Sequence, residues 1–387
     1  MSATLTKTKL IYIAAVATRL AMFSFPSVSN TLVQRVELST PVTSFKRLTE
    51  GVYLYNNNVP PYDGGAFYQS PLLLCLFSFI MPLPANTIPI LYCATDVLIA
   101  YALSCITGIK QQQDVQKPML LVEQEKRASI IIKPSTVAAL YLFNPLTILS
   151  CVSKSTLVFT NLSIAMAILS ALKQRQNASM LWAALASYLG FYPAMLVPAL
   201  LLIIKPPTAM KPMLSFAAWL TALFVFSRLF IGSWDFIRAT YGTMSFFMLV
   251  FQFHTFIFAA PVCIKMRHQP IFAITVLCGI MAIFKSYPSA SDASFYLGLV
   301  PIHDELFKYC RYSFLVSNLF LYASALAPIF WHLWIYAGSG NANFFYAITL
   351  VYNLGQVLLL IDLVYAALRR EYDVNHPESI GKMIVHK

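Results

Sequence analysis

Charged residues are scarce in this chain: Asp, Glu, Lys and Arg together make up 11% of its 387 residues. In soluble domains these four residues account for about 25% of the total. Hydrophobic residues reach 58% and the mean hydropathy is +0.68, whereas soluble domains are roughly 45–50% apolar. The composition therefore excludes a soluble globular protein and predicts an all-α bundle of helices that crosses a membrane many times.

Acidic residues are the scarcer charge, with 15 Asp and Glu against 27 Lys and Arg, so the net charge is +12. A strongly basic protein can bind the phosphates of nucleic acids. Here, however, the basic residues stand in short clusters between apolar runs, as they do in the cytosolic loops of membrane proteins. We therefore expect a membrane and no nucleic acid as partner. The clusters lie at residues 110–133, 173–175, 265–267 and 369–370.

The motifs of catalytic and metal sites are missing. The sequence contains no Cys-x-x-Cys pair, no His-Glu-x-x-His zinc motif and no glycine-rich phosphate loop. No Ser or Cys nucleophile stands with a histidine and an acid in a recognisable set. The seven cysteines fall mostly within apolar runs and are interpreted as small buried hydrophobic residues. We therefore expect no catalytic residue, metal, cofactor or disulfide.

The apolar runs are numerous, but many fall short of the roughly 20 residues that a spanning helix needs. The first run is interrupted by Arg19 and lacks a convincing cleavage site, so we interpret it as a retained helix. Both termini are basic and should lie in the cytosol, which requires an even number of crossings. We expect about twelve crossings, because proline in the segment Met81–Asn86 should let one neighbouring half-helix dip without crossing. The runs are 10–26, 71–84, 87–107, 135–151, 155–172, 178–189, 191–204, 213–232, 244–265, 270–285, 291–304, 312–333 and 342–367.

The polar segments between the runs complete the predicted organisation. We expect one polytopic membrane domain over residues 1–387, with a lumenal loop at 27–70, a basic cytosolic loop at 108–134 and a cytosolic tail at 368–387. Ionisable residues inside apolar runs are costly and can mark functional sites, although pairing or reaching the interface is the commoner role. The residues of this kind are Arg19, Asp96, Arg228, Lys285 and Asp362.

Several segments spread over most of the chain together resemble one known family. Those in the C-terminal half are Phe284-Lys285-Ser286-Tyr287-Pro288, Trp331 through Ser339, Asn343 through Thr349 and Leu368-Arg369-Arg370-Glu371-Tyr372. Upstream, the segments are Arg35-Val36-Glu37, Pro41, Lys46-Arg47, Glu50-Gly51, Pro61-Tyr62 and Phe143-Asn144-Pro145 through Ser155. The family that they resemble is PIG-U.

The resemblance implies membership of the GPI transamidase of the endoplasmic reticulum membrane. That complex removes a C-terminal signal from a precursor protein and joins the new carboxyl group to the ethanolamine of a GPI lipid. The family member is expected to be a non-catalytic subunit that helps to bind or present the lipid. The expected partners are the caspase-like catalytic subunit, the PIG-T-, PIG-S- and Gaa-type subunits, and the GPI lipid itself.

The family is also distantly similar to multi-spanning, GT-C-like mannosyltransferases that use dolichol-phosphate mannose, so such an enzyme of GPI assembly is the alternative. It would need a lumenal acid to deprotonate its acceptor hydroxyl. Where those enzymes carry an Asp-x-Asp-type pair, this chain has Arg35-Val36-Glu37, and Ser153-Lys154-Ser155-Thr156 has no nearby acid. These departures favour a scaffold that kept the fold and lost the reaction, with Glu37 as one remaining base. A transporter is a third interpretation, because broken helices and intramembrane charges are also transporter traits.

A GPI lipid combines acyl chains with a phosphorylated glycan, so its site needs a lipid-facing groove with polar donors near the lumenal surface. The turn from Ser339 to Phe345 has this character, because Asn341 and Asn343 can donate amide hydrogen bonds to phosphate or sugar oxygens. Aromatic rings that can pack against acyl chains or sugar faces lie at Trp331, Trp334, Phe344 and Phe345.

The alternative for this turn is purely structural: the asparagines cap helix ends and the rings belong to the interfacial aromatic belt. Secondary candidates for binding an anionic headgroup are Lys285 with Tyr287 and Lys154 with Asn144, because a cation at such a position needs a partner.

Overall fold

The computed structural model describes residues 2–65, 67–115, 131–241 and 253–379. These residues form two compact units. The first unit comprises the described residues of Met1–Gln116 and Ile132–Ile302, and the second comprises the described residues of Lys117–Ile131 and His303–Lys387. Much of the basic segment 108–134, the start of the apolar run 244–265 and the end of the tail 368–387 lie outside the described residues. The regular elements of the described residues are helices, as the all-α prediction requires. The prediction of a single membrane domain stays a prediction.

The first unit is built around one central helix. Its helices are α1 (Ser2–Phe23), α2 (Pro26–Gln34), α3 (Phe45–Asn56), α4 (Pro71–Ile80), α5 (Thr87–Val115), α6 (Pro134–Leu142), α7 (Pro145–Val152), α8 (Leu157–Leu172), α9 (Gln176–Gly190), α10 (Val197–Ile204), α11 (Met210–Ile231), α12 (Asp235–Thr240), α13 (His254–Ile257), α14 (Ala259–Lys265), α15 (Pro270–Phe284) and α16 (Ala290–Leu299). Nearly every side chain of α8 is buried, and the helix packs against α5, α7, α9, α10 and α16. A helix that is apolar on all sides is stable only when other helices surround it, and α8 meets that condition.

Two of the intramembrane charges bind each other inside this unit. Nε of Arg19 on α1 donates to Oδ2 of Asp96 on α5 at 2.8 Å, and both side chains are 0% exposed. Arg19 also donates to the carbonyl oxygen of Ala15. The pair joins helices that are 77 residues apart in the chain, which confirms the structural interpretation of these two residues.

Two helix pairs of the first unit are sharply bent. The axes of residues Thr8–Phe23 of α1 and of α2 meet at 87°, and those of α6 and α7 meet at 53°. Pro26 and Pro145 each open the second helix of their pair, where the missing N–H costs nothing. Asn144 caps α7, because its side-chain oxygen accepts a hydrogen bond from the N–H of Leu146 at 2.9 Å.

The polar segment 27–70, expected from its composition to be a loop, contains most of α2 and all of α3. On α3 the buried residues are Leu48, Gly51 and Val52, whose spacing of three to four places them on one helix face. They pack in a cluster that includes the buried ring of Phe67. A short amphipathic stripe within a polar sequence is easily missed, and packing against the bundle stabilises it as a helix. The lumenal side of this segment stays a prediction.

The second unit contains a helical hairpin of α17 (Ser313–Ile335) and α18 (Ala342–Asn375), followed by a 3₁₀ turn at Pro377–Ser379. A further 3₁₀ segment, Val300–Tyr309, begins in the first unit and continues into the second. Asp362, buried on α18, accepts hydrogen bonds from the backbone N–H groups of Arg311 and Tyr312 at 2.9 to 3.0 Å. These N–H groups precede the first turn of α17, where a helix favours negative charge. Asp362 therefore holds the two helices together and has a structural explanation.

Four helices among the described residues are long and apolar enough to cross a membrane, or six if each bent pair counts as one span. They are Thr87–Asp114, Met210–Ile231, Ser313–Ile335 and Ala342–Asn375. The ten residues of α4 reach about 15 Å at the usual helical rise, half of the roughly 30 Å hydrocarbon layer. This short helix precedes Met81–Asn86, which favours α4 as the half-helix that dips. The expected number of about twelve crossings stays a prediction.

Candidate functional site

The turn between α17 and α18 is held by its own backbone. The N–H groups of Ser339 and Gly340 both donate to the carbonyl oxygen of Leu333, at 3.1 and 3.0 Å. Gly338 has a φ of 62°, a conformation that side chains disfavour. A Cβ on Gly340 would lie 3.3 Å from backbone and side-chain atoms of Leu333, so only glycine fits without a shift. The turn therefore presents the residues after it in a defined position.

The two asparagines of this turn differ in their contacts. The side-chain oxygen of Asn341 accepts a hydrogen bond from the N–H of Asn343 at 3.0 Å and caps α18. The side chain of Asn343 is exposed and makes no hydrogen bond within the described part of the chain. The capping interpretation thus holds for Asn341, whereas the amide of Asn343 remains available to a ligand.

Aromatic rings pack against one another next to the turn. The Trp331 ring lies 5.2 Å from Phe345 and 5.5 Å from Trp334, and the Trp334 and Phe345 rings are 6.3 Å apart, centroid to centroid. Phe344 lies 5.9 Å from the ring of Phe330 and is 53% exposed. The structure therefore brings together all seven predicted residues of the turn region, namely Trp331, Trp334, Ser339, Asn341, Asn343, Phe344 and Phe345.

Lys285 and Tyr287 belong to the first unit, where both line a cavity of about 140 Å³. Lys285 forms an ion pair with Asp292, which also lines the cavity. The partner that a partly buried cation requires is thus supplied by the protein. Burial raises the pKa of Tyr241, another lining residue, well above its ordinary value, so that its phenol is neutral.

Lys154 lies in the short segment between α7 and α8, with a left-handed φ of 55°. Its ammonium nitrogen is 5.1 Å from the ring centroid of Phe45 and 6.0 Å from that of Phe23, a cation–π arrangement. No carboxylate among the described residues lies within ion-pairing distance of it. Burial lowers the pKa of Lys154. Asn144 stands at the far end of α7, about 12 Å along an eight-residue helix, so these two predicted partners do not come together.

Glu37, the possible base of a glycosyltransferase, is already engaged. Its two carboxylate oxygens accept hydrogen bonds from Arg35, Oε2 from Nε at 3.0 Å and Oε1 from Nη2 at 2.5 Å. Its backbone oxygen accepts a hydrogen bond from the N–H of Ala290, which ties this segment to α16. A carboxylate held in this bidentate way is oriented by its partner rather than toward a substrate hydroxyl.

Several residues of the cavity were missed by sequence reasoning. Gln69 and Asn161 are polar residues within or beside apolar segments, and Asp292 stands three residues after Ser289. Ser289 and Asp292 form a capping box at the start of α16, a signal that the sequence contains. Gln69 and Asn161 carry no comparable local signal.

The fold and the two sites define an all-helical membrane protein that offers a polar turn beside aromatic rings and a polar cavity. The family model of the GPI transamidase subunit PIG-U matches residues 13–247 and 244–352. The chain is 35% identical to the "GPI-anchor transamidase component PIGU" of Homo sapiens, over 95% of both chains. It is also 35% identical to the "GPI transamidase component GAB1" of Saccharomyces cerevisiae, over 95% of this chain and 96% of that protein. The chain belongs to the PIG-U family, as its motifs predict.

Proposed function

We propose that this chain is a non-catalytic subunit of the GPI transamidase in the endoplasmic reticulum membrane and helps to bind or present the GPI lipid. The observation that carries the proposal is its similarity, over nearly its full length, to proteins named as components of that complex. The proposed partners are the caspase-like catalytic subunit and the PIG-T-, PIG-S- and Gaa-type subunits. The proposed topology has about twelve crossings with both termini in the cytosol, in an architecture like that of the GT-C mannosyltransferases.

The proposed lipid contact is the turn that precedes α18. Asn343 offers an exposed amide without a partner among the described residues, and such a group can donate to phosphate or sugar oxygens. It stands in the first turn of a 34-residue helix, where the helix dipole favours negative charge. The exposed ring of Phe344 beside it supplies apolar surface for an acyl chain. A polar donor and an apolar ring at neighbouring positions match the amphiphilic character of a GPI lipid.

Lys154 is the stronger of the two lysine candidates for an anionic headgroup. Lys285 is already neutralised by Asp292, whereas Lys154 faces aromatic rings and has no carboxylate partner in the described part of its unit. A partly buried cation without a counter-ion attracts an anion such as a phosphate. Lys154 is therefore part of the proposed function as a separate contact for the anionic headgroup, whereas Lys285 is a charge-balanced residue of the cavity wall.

The mannosyltransferase alternative is not favoured. The relatives are named as transamidase components, and the carboxylate of Glu37 is held by Arg35. Depletion of the protein from cells separates the two functions. The transamidase subunit predicts accumulation of both complete GPI lipid and uncleaved precursor protein. A GPI intermediate that lacks mannose would instead assign the glycosyltransferase reaction.

The lipid contact itself is tested by substitutions at the two asparagines. Asn343→Ala and Asn343→Lys should reduce anchor attachment while the complex still assembles. Loss of one hydrogen bond to a charged group weakens binding roughly ten- to hundredfold. Asn341→Asp keeps the helix cap and should disturb assembly little. The readouts are the anchored fraction of a reporter protein and co-purification of the other subunits.

Asn318→Ala is the matched control, because Asn318 is a partly exposed asparagine of α17 whose amide donates, among the described residues, only to the carbonyl oxygen of Phe314 in the preceding turn. It should leave anchor attachment unchanged. Normal attachment in both Asn343 variants, with an intact complex, would remove the turn as the lipid site.

A further inference from the structure

The cavity of the first unit is large enough for a ligand of ring size. It has a volume of about 140 Å³ and is bordered by segments that are distant in the chain. Each water molecule occupies roughly 30 Å³ in the liquid. The cavity therefore has room for about five water molecules, which is the scale of a six-membered ring. Its lining includes Gln69, Asn161, Tyr192, Tyr241, Lys285 and Asp292.

The charges at the cavity wall cancel each other. The carboxylate of Asp292 binds Lys285 through one oxygen, and its other oxygen accepts hydrogen bonds from N and Oγ of Ser289 at 2.7 and 2.8 Å. The lysine charge is thus balanced and the carboxylate is saturated by protein donors. A phosphate placed here would meet a fixed carboxylate and find no surplus cation, so an anionic ligand is disfavoured.

Two buried polar side chains among the lining residues lack hydrogen-bond partners in the described part of the chain. Gln69 is 2% exposed, and its Nε2 donates to the carbonyl oxygen of Ser44 at 2.7 Å, which fixes the amide orientation. Its Oε1 is buried and has no hydrogen bond among the described residues. Asn161 is 5% exposed, and its side chain also makes none within the described chain. Buried polar groups are almost always satisfied, so this arrangement calls for an explanation.

The free oxygen of Gln69 requires a donor, whereas the amide of Asn161 can both donate and accept. An acyl chain satisfies neither group, and burying them against it would be costly. A deprotonated phosphate offers acceptors only. Neutral hydroxyl groups donate and accept, and can bind both side chains.

Aromatic residues complete the wall. Tyr192 and Tyr241 both line the cavity, and Tyr192 is fixed by hydrogen bonds with the N–H and Oγ of Ser286 at 3.0 and 3.2 Å. Aromatic rings bury the apolar face of a hydroxylated ring while amides bind its edge. We propose that this cavity is a second binding site, independent of the turn, for a neutral sugar ring.

The test uses the purified full-length protein in nanodiscs, as wild type and variants. Saturation-transfer NMR would measure binding of methyl α-D-mannopyranoside and methyl N-acetylglucosaminide, and phosphorus relaxation would measure inorganic phosphate. We expect a sugar signal and no phosphate signal. Asn161→Leu removes one of the two amides that lack partners, so it should weaken sugar binding about tenfold. The octyl glycosides of the same sugars separate two kinds of ligand. A site for a lipid-linked sugar should bind the octyl glycoside more tightly than the methyl glycoside, whereas a site for a free sugar should not.

Thr147→Val is the matched control. Thr147 is a buried residue of α7 whose hydroxyl also lacks a partner in the described structure, but it does not line the cavity. Thr147→Val and Asn343→Ala should both retain sugar binding, whereas only Asn343→Ala should lose anchor attachment. The proposal is overturned if wild type binds neither sugar, if phosphate alone binds, or if Asn161→Leu, shown to be folded by circular dichroism, binds the sugars as wild type does. Each of these results would leave the function proposed for the turn intact.

Discussion

Removing Asp96 should strongly destabilise the first unit. Its carboxylate lies 2.8 Å from Nε of Arg19, and neither side chain reaches solvent. Asp96→Leu would leave the guanidinium in a buried position, with the carbonyl oxygen of Ala15 as its one hydrogen-bond acceptor within the described residues. Breaking a buried pair by removing one member costs about 3–5 kcal/mol, since the remaining charge is not compensated.

Replacing both residues should cost far less. Buried ion pairs replaced by apolar residues of similar volume are often close to neutral in free energy. Suppose that Asp96→Leu and Arg19→Met each lower the free energy of unfolding by about 4 kcal/mol, and that the double variant leaves it nearly unchanged. The coupling energy between the two residues is then about 8 kcal/mol. Even a double variant that loses 3 kcal/mol would leave a coupling of about 5 kcal/mol.

The free energy of unfolding can be measured by titrating the purified chain with SDS in mixed micelles. The exposed pair of Arg47 and Glu50 on α3, joined at 3.0 Å, supplies the control. Glu50→Gln should cost roughly 0.2–1 kcal/mol, because solvent screens this pair. Additive costs in the double variant, or a loss below about 1 kcal/mol for Asp96→Leu, would refute the reasoning.

Three further substitutions follow from the contacts. Asp362→Ala leaves the N–H groups of Arg311 and Tyr312 without their acceptor and should cost about 1–3 kcal/mol in the same unfolding assay. Gly51→Ala places a Cβ 2.7 Å from the buried ring of Phe67 and should cost about 1–3 kcal/mol through overpacking, whereas an unchanged stability would contradict the packing of α3. Lys154→Met removes a cation whose pKa is lowered from 10.5 by burial, so the variant should gain stability relative to wild type at pH 7. This gain should narrow as the pH rises through the lowered pKa of the folded state and should vanish above 10.5, where the wild-type side chain is neutral in both states; a gain independent of pH would be a contradiction.

Much of this protein could be predicted from residues close together in the chain. Composition predicts membrane helices, Asn144 before Pro145 predicts a capped helix start, and the cysteines are predicted as free hydrophobic residues. All seven are free, and four of them are buried. The turn at Ser339 to Phe345 was found because its glycines, asparagines and rings are contiguous, and the structure brings them together.

Other features depend on partners that are distant in the chain. Even the partner of Lys285, Asp292, only seven residues away, is not evident locally, because the pair forms when α16 folds back beside the end of α15. Arg19 and Asp96 were both recognised as unusual, but their pairing follows only from the packing of α1 against α5. The cavity was missed because Gln69 and Asn161 stand in different segments and no local pattern relates them.

Composition and local motifs are enough to predict a membrane environment, the helical class and the family, because hydrophobicity, proline positions and motifs are properties of neighbouring residues. Which buried polar groups find partners depends on contacts that form when the helices pack. The amide of Gln69 is an example: its Nε2 donates to the carbonyl oxygen of Ser44, 25 residues away, whereas its Oε1 has no partner in the described chain. A hydrogen bond requires two groups at a defined distance and angle, and for residues far apart in the chain only packing sets that geometry.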